Sequence, residues 1–142
     1  MAISGCDMPR DVEGTTEAIA TAGTIRIGLA ENSGKTTQDD AQLVSRLITR
    51  LERKTGAHAQ ITRATSEPLL LDLEAGELDL VIGSFAAKTP WVKRVSFAPA
   101  LATHPRGEAS LELKAAGRNG ENRWISLIER ESRAVAKEAG TP

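Results

Sequence analysis

The sequence predicts an α/β fold in which a mostly parallel sheet carries helices on both faces. Three observations point to it. Apolar runs of strand length, centred on Ile27, on Ile61 and on residues 78–82, alternate with stretches of helical periodicity at 39–54 and 68–73. Strands and helices alternating at these lengths imply parallel neighbours buried on both sides. The chain has 142 residues, 40% of them hydrophobic and 26% charged, which makes one domain able to bury roughly two-thirds of its unfolded surface.

The domain is set at residues 24–142, with 1–23 ahead of it. That leading segment holds Pro9, Gly14 and scattered acids with little apolar content, so a mobile tether is expected. Ile25, Ile27 and Leu29 alternate with Thr24, Arg26 and Gly28 as a first strand with one face more apolar. Asp39 or Asp40 is placed to cap a helix on which Leu43, Val44, Leu47, Ile48 and Leu51 recur at helical spacing. Arg50, Arg53 and Lys54 complement its dipole, and Gly56 ends it. A second strand around Ala59 and Ile61 leads to Ser66, and Pro68 opens a short helix that Gly76 stops. Residues 78–82 are a buried central strand, interrupted only by Asp79.

Beyond Arg94 the pattern changes. Val95 alternates to Phe97 and Leu111 to Leu113, while Pro105 and Gly107 between them fit a type I turn, so a hairpin-like return is expected. Asn119 or Asn122 caps a last helix whose apolar side holds Trp124, Ile125, Leu127, Ile128 and Val135. Its wet face is residues 129–133 with Lys137.

Composition removes several function classes. The net charge is −1 with basic and acidic residues interleaved, so there is no basic face for nucleic acid. Gly34, Lys35 and Thr36 imitate the end of a phosphate-binding loop, but five residues separate Gly28 from Gly34, one more than the motif takes. His58 and His104 are lone histidines with no metal-ligand spacing. Neither a cofactor nor a catalytic constellation is indicated, and an enzyme ranks last.

The single cysteine, Cys6, follows Ile3, Ser4 and Gly5, the aliphatic, small, small, Cys order of a bacterial lipoprotein signal. Only five residues precede it, so the segment reads as a signal remnant ahead of the tether; an incidental free thiol is the alternative. Acylation at Cys6 would anchor the chain stably. Asp7 beside it resembles an inner-membrane retention signal.

The runs "TIRIGLAENS", "LVSRLITRLERKTG", "LLLDLEAGELDLVIGSF" and "TPWVKRVSFAPA" stand in the order found in one lobe of a periplasmic solute-binding protein. The chain resembles the extracellular solute-binding family 3, the polar amino-acid binders of ABC importers, without a second lobe. The resemblance implies one lobe of a periplasmic-binding-protein-like fold. It also implies a ligand loop with two hydroxyls and an Arg that clamp a carboxylate. Here Ser84 keeps the first hydroxyl, Ala86 stands at the second, and Trp91 stands at the Arg, which breaks the clamp. Lys88, Thr89 and Arg94 lie in the same loop, out of register.

Glu31 and Asn32 after the first strand, with Thr65 and Ser66 at the second helix, complete the site candidates at the edge where open α/β sheets bind ligands. Glu31 and Asn32 read equally as a solvated loop, and the alternative for the loop at 83–97 is a cap on the sheet with Trp91 filling an apolar dent. A third reading makes Phe85 and Trp91 an exposed anchor for a membrane-protein partner. The expectation is therefore a periplasmic, membrane-anchored, solute-binding-like lipoprotein that binds small polar solutes weakly. An accessory subunit bound to a membrane protein is the alternative.

Overall fold

The computed structural model describes residues 10–31, 37–107 and 109–140. Cys6, Asp7, Asn32, Gly34, Lys35 and Thr36 lie outside the described residues. In chain order the elements are α1 (Thr15–Ala22), β1 (Thr24–Ala30), α2 (Gln38–Thr55), β2 (His58–Ala64), α3 (Ser66–Glu74), β3 (Leu80–Ala86), β4 (Val95–Phe97), β5 (Ala102–Arg106), β6 (Ala109–Arg118) and α4 (Asn122–Glu138). A 3₁₀ turn, Pro90–Lys93, precedes β4.

The sheet runs β2-β1-β3-β6-β4, with β5 also on β6. β1 pairs in parallel with β2 and β3, while β6 is antiparallel to β3, β4 and β5. Five strands therefore point one way and β6 alone points back, so the mostly parallel sheet is present. β4 and β5 share the outer side of β6, opposite residues 116–118 and 109–113. Between them Ala98 and Leu101 bond to the Ala115 and Leu113 carbonyls at 2.8 and 2.7 Å.

Helices cover both faces. Ile25, Ile27, Leu80 and Ile82 pack with Ile19, Leu43, Leu47, Leu51, Trp124 and Val135 from α1, α2 and α4. On the other face Val81, Phe85 and Val95 meet Leu69, Leu70 and Leu73 of α3. The alternation along β3 sends Leu80 and Ile82 one way and Val81 the other, as strand period requires. Trp124, fully buried, donates from Nε1 to the Asp79 carbonyl at 2.7 Å and locks α4 to the start of β3. The Asp79 carboxylate holds the backbone N–H of Arg26 at 2.8 Å and its guanidinium at 2.9 Å. That hydrogen bond, against some burial, raises the Arg26 guanidinium above its ordinary value.

Several sequence expectations are corrected. The central strand starts at Leu80 and runs to Ala86, so Asp79 precedes it. Thr37 caps α2, accepting from Asp40 N at 3.0 Å, in place of Asp39 or Asp40. Gly107 has φ 62, a left-handed value that a type I turn does not use at its first central residue, and Pro105 lies within β5. Glu131 and Ser132 are buried on α4 and not on its wet face, because Arg50 of α2 reaches Glu131 at 2.8 Å.

The tether expectation fails for its second half. Thr15–Ala22 is a helix whose Ile19 is 1% exposed in the core. Its start is held by Glu121, fully buried, whose carboxyl oxygens accept from Glu13 N at 2.8 Å, Thr15 N at 3.1 Å and Thr15 Oγ1 at 2.5 Å. Asp11 returns the bond, accepting from Trp124 N at 2.9 Å at the start of α4 and from Thr16 N at 2.8 Å. Each helix is capped by a carboxyl from the segment leading into the other, which satisfies donors a helix start leaves open. Asn119 and Asn122 are not the cap of α4; Glu121 holds that position without a side-chain bond to its own helix.

Candidate functional site

Parallel strands end together, and their following loops gather at one edge. Here the ends of β1, β2 and β3 open into a cleft of about 1130 Å³, walled by α2 and by the β5–β6 hairpin. Its floor is apolar, with Leu29, Ile82 and Leu113 of the sheet below Val44 and Ile48 of α2. Gly83 lies at the end of that floor. A Cβ there would stand 2.6 Å from the Ala30 Cβ, so only glycine lets β1 and β3 close up at this level.

Of the residues picked out from sequence, Glu31, Thr65, Ser66 and Ser84 line the cleft. Glu31 is exposed and its backbone N–H is tied to the Ala64 carbonyl at 2.7 Å. Thr65 stands at the amino terminus of α3, and its hydroxyl does not cap the helix. Thr65 and Ser66 both line the cleft there, beside the positive end of the α3 dipole. Ser84 ends the β3 contribution, half-buried.

Phe85, Lys88, Thr89 and Trp91 are not in the cleft. Phe85 points to the α3 face, 6% exposed, with its ring centroid 5.1 Å from that of Phe97. It is a core residue and not an exposed anchor, because it lies one step along β3 from Ser84 and so faces the other way. Thr89 is buried and caps the 3₁₀ turn, accepting from Trp91 N at 3.3 Å. Trp91 is half-buried against the α3-side core, with the Arg94 guanidinium 4.3 Å from its ring centroid. Arg94 in turn pairs with Glu74 of α3, and that hydrogen bond holds its guanidinium above the ordinary value. Lys88 is exposed beside this lock.

Four cleft residues were not anticipated. Asp40, buried at the first turn of α2, meets His104 Nε2 of β5 at 2.9 and 3.1 Å through its two oxygens, closing one wall. Arg63 of β2 and Arg106 of β5 line the cleft near its two ends. No hydrogen bond or ion pair engages either guanidinium among the described residues. Alternation along β2 could have put Arg63 beside Ile61, but His104 and Arg106 depend on how the hairpin folds back. The cleft thus offers hydroxyls, the carboxyls of Glu31 and Glu52 and two guanidinium groups around an apolar floor. That is the make-up of a small-molecule site with a few directing polar groups. Among the described residues no cluster of three or more His, Cys, Asp or Glu stands ready for a metal.

Solved structures share this architecture. A mutant of the arginine-bound form of domain 1 from TmArgBP, of T. maritima, superposes with TM-score 0.67 at 18% identity, covering 86% of this chain and 98% of that one. The chain has the fold of one lobe of an amino-acid-binding protein. An ancestral cationic amino acid solute binding protein matches with TM-score 0.66 at 13% identity, over 89% of this chain and 96% of that one. An ancestral cyclohexadienyl dehydratase matches with TM-score 0.64 at 11% identity, over 88% and 92%. No protein-family model matches the lobe, and no curated protein sequence does.

Proposed function

We propose that this chain is a non-catalytic, extracytoplasmic binding module that holds a small polar solute at the carboxyl edge of its sheet. The observation that carries the reading is the cleft itself, where Glu31, Thr65, Ser66 and Ser84 converge over an apolar floor. The solved domain 1 from TmArgBP is arginine-bound, which supports a single lobe of this fold as sufficient to hold an amino acid. The loop clamp is broken at Ala86 and Trp91, and the guanidinium groups of Arg63 and Arg106, unpaired among the described residues, are the cations that would meet a carboxylate instead. An open cleft buries less of its ligand than a closed pair of lobes, so affinity is expected near millimolar, about −4 kcal/mol. Calorimetry against a panel of free amino acids tests the reading. Weak binding abolished by combined Thr65→Ala and Ser84→Ala supports it, and absence of binding to every member at millimolar concentration sinks it.

Anchoring through an acylated Cys6, with Asp7 favouring the inner membrane, belongs to the same proposal. Among the described residues no helix is long and apolar enough to cross a membrane, so a lipid anchor would supply the attachment. Mass spectrometry of the native protein, looking for an acylated amino-terminal cysteine, tests it. A second reading, an accessory subunit on a membrane protein, is favoured by Val92, 51% exposed next to Trp91 on the 3₁₀ turn.

A further inference from the structure

We infer that β2 is a self-association edge, pairing antiparallel with β2 of a second copy about Ile61 to make one continuous sheet. β2 is the outermost strand on its side. The His58 N–H bonds to the Gly23 carbonyl at 3.0 Å and the Ala64 carbonyl accepts from Glu31 N at 2.7 Å, so residues 58, 60, 62 and 64 direct their main-chain groups to β1. By alternation Ala59, Ile61 and Arg63 direct theirs outward. Among the described residues only the Ala59 N–H is occupied, by Glu52 Oε2 at 2.9 Å.

Native sheets usually blunt such an edge with Pro, Lys, a bulge or a short strand. The other side of this sheet is treated that way: β4 and β5 are separate short pieces, with Pro99 between them and Pro105 within β5. β2 has no Pro, Lys or bulge, and the one charged side chain along it is Arg63. Its register against β1 is unbroken from His58 to Ala64, and Ile61 at its centre is 42% exposed.

The edge is self-complementary. Antiparallel pairing centred on Ile61 sets each Ile61 against its copy and each Arg63 against Ala59 of the second copy. Ile61 N–H and C=O then bond reciprocally, and Arg63 N–H reaches the Ala59 carbonyl of the other chain. Ile61, Arg63 and Glu52 all line the cleft and so share the α2 face. Because Glu52 is bonded to Ala59, the same register delivers the unpaired Arg63 guanidinium to Glu52 of the second copy. Glu52 Oε1 has no partner among the described residues, so it can accept that guanidinium while Oε2 keeps the Ala59 N–H. No like charges fall opposite one another along the strand. An acidic peptide could use the same hydrogen bonds, but only a second copy brings both Ile61 and Glu52.

Sedimentation velocity of the full chain, from micromolar to near-millimolar, tests this, with hydrogen exchange of the Ile61 and Arg63 amides as a second readout. The expected result is a concentration-dependent dimer in which those two amides become protected as the dimer forms. Ile61→Lys and Arg63→Glu should each raise the dissociation constant about tenfold or more without loss of the folded circular dichroism spectrum. A chain monomeric throughout, or a dimer in which both folded variants associate unchanged and the two amides exchange freely, would overturn the inference. Arg63 and Ile61 also line the cleft, so the dimer and a solute share these residues; sedimentation without any solute reads the dimer alone, and the amino-acid titration reads the cleft.

Discussion

Glu121 shows how much one side chain can hold. Fully buried, it accepts from three donors at the start of α1, and hydrogen bonds to a buried carboxyl contribute about 1.5–3 kcal/mol apiece at most before they begin to share. Glu121→Ala is expected to destabilise the fold by about 2–3 kcal/mol in urea unfolding, with α1 the first element to lose exchange protection. Asp11 supplies the pH dependence. Burial pushes its carboxyl up, but hydrogen bonds from Thr16 and from the Trp124 N–H outweigh that and leave it below the ordinary value of 3.8. A lowered folded pKa means Asp11 stabilises the fold above pH 3.8, and the contribution is lost as pH falls through the folded value. Asp11→Asn should therefore be less stable than wild type at neutral pH, with the two curves converging in acid; a constant gap across pH would contradict the assignment. None of this was legible locally. Asp11 and Glu121 each look like loop acids, since the partners by which each reaches the other's helix stand more than a hundred residues away. Ser84, by contrast, was legible, because its place at the end of an apolar strand fixes where it must point.

At the scale of elements, α2, α3 and five of the six strands follow from periodicity, whereas β5, almost wholly exposed, falls where the sequence reads as a turn. The errors concentrate where packing over long range decides. α1 carries too little apolar content to announce itself: Ile19 alone is buried. It forms because Glu121 and Asp11 cap it and the α2–α4 face receives it. Removing residues 1–23 should thus cost more than the loss of a tether, about 3 kcal/mol or more, because it strips the Ile19 side chain from the core and the donors from a buried carboxyl. A truncated chain melting within a degree or two of the full one would show α1 to be an ornament. The hairpin is similar. Its existence was legible from Gly107 and the flanking alternation, but the union of His104 with Asp40 depended on the twist that lays β5 beside α2.

For the molecule as a whole, the order of strands and helices gave the lobe, and the lobe gave the edge at which the cleft opens. The chemistry of that edge was half visible. Glu31, Thr65, Ser66 and Ser84 lie there because each follows or ends a parallel strand, whereas Phe85 and Trp91 were drawn into the α3-side core by a one-residue alternation and by the Arg94 stack. Arg63 and Arg106 arrive from the two flanks of the sheet, which no local pattern could bring together. The central claim, a solute-binding cleft on one lobe, is tested most directly by a nuclear magnetic resonance titration of the isotopically labelled chain with arginine and with an acidic amino acid. The account predicts fast-exchange shifts with millimolar midpoints, concentrated at the amides of Glu31, Thr65, Ser66 and Ser84 and at the Arg63 and Arg106 side chains. Spectra unchanged by either amino acid, or shifts confined to the 3₁₀ turn around Trp91, would contradict it.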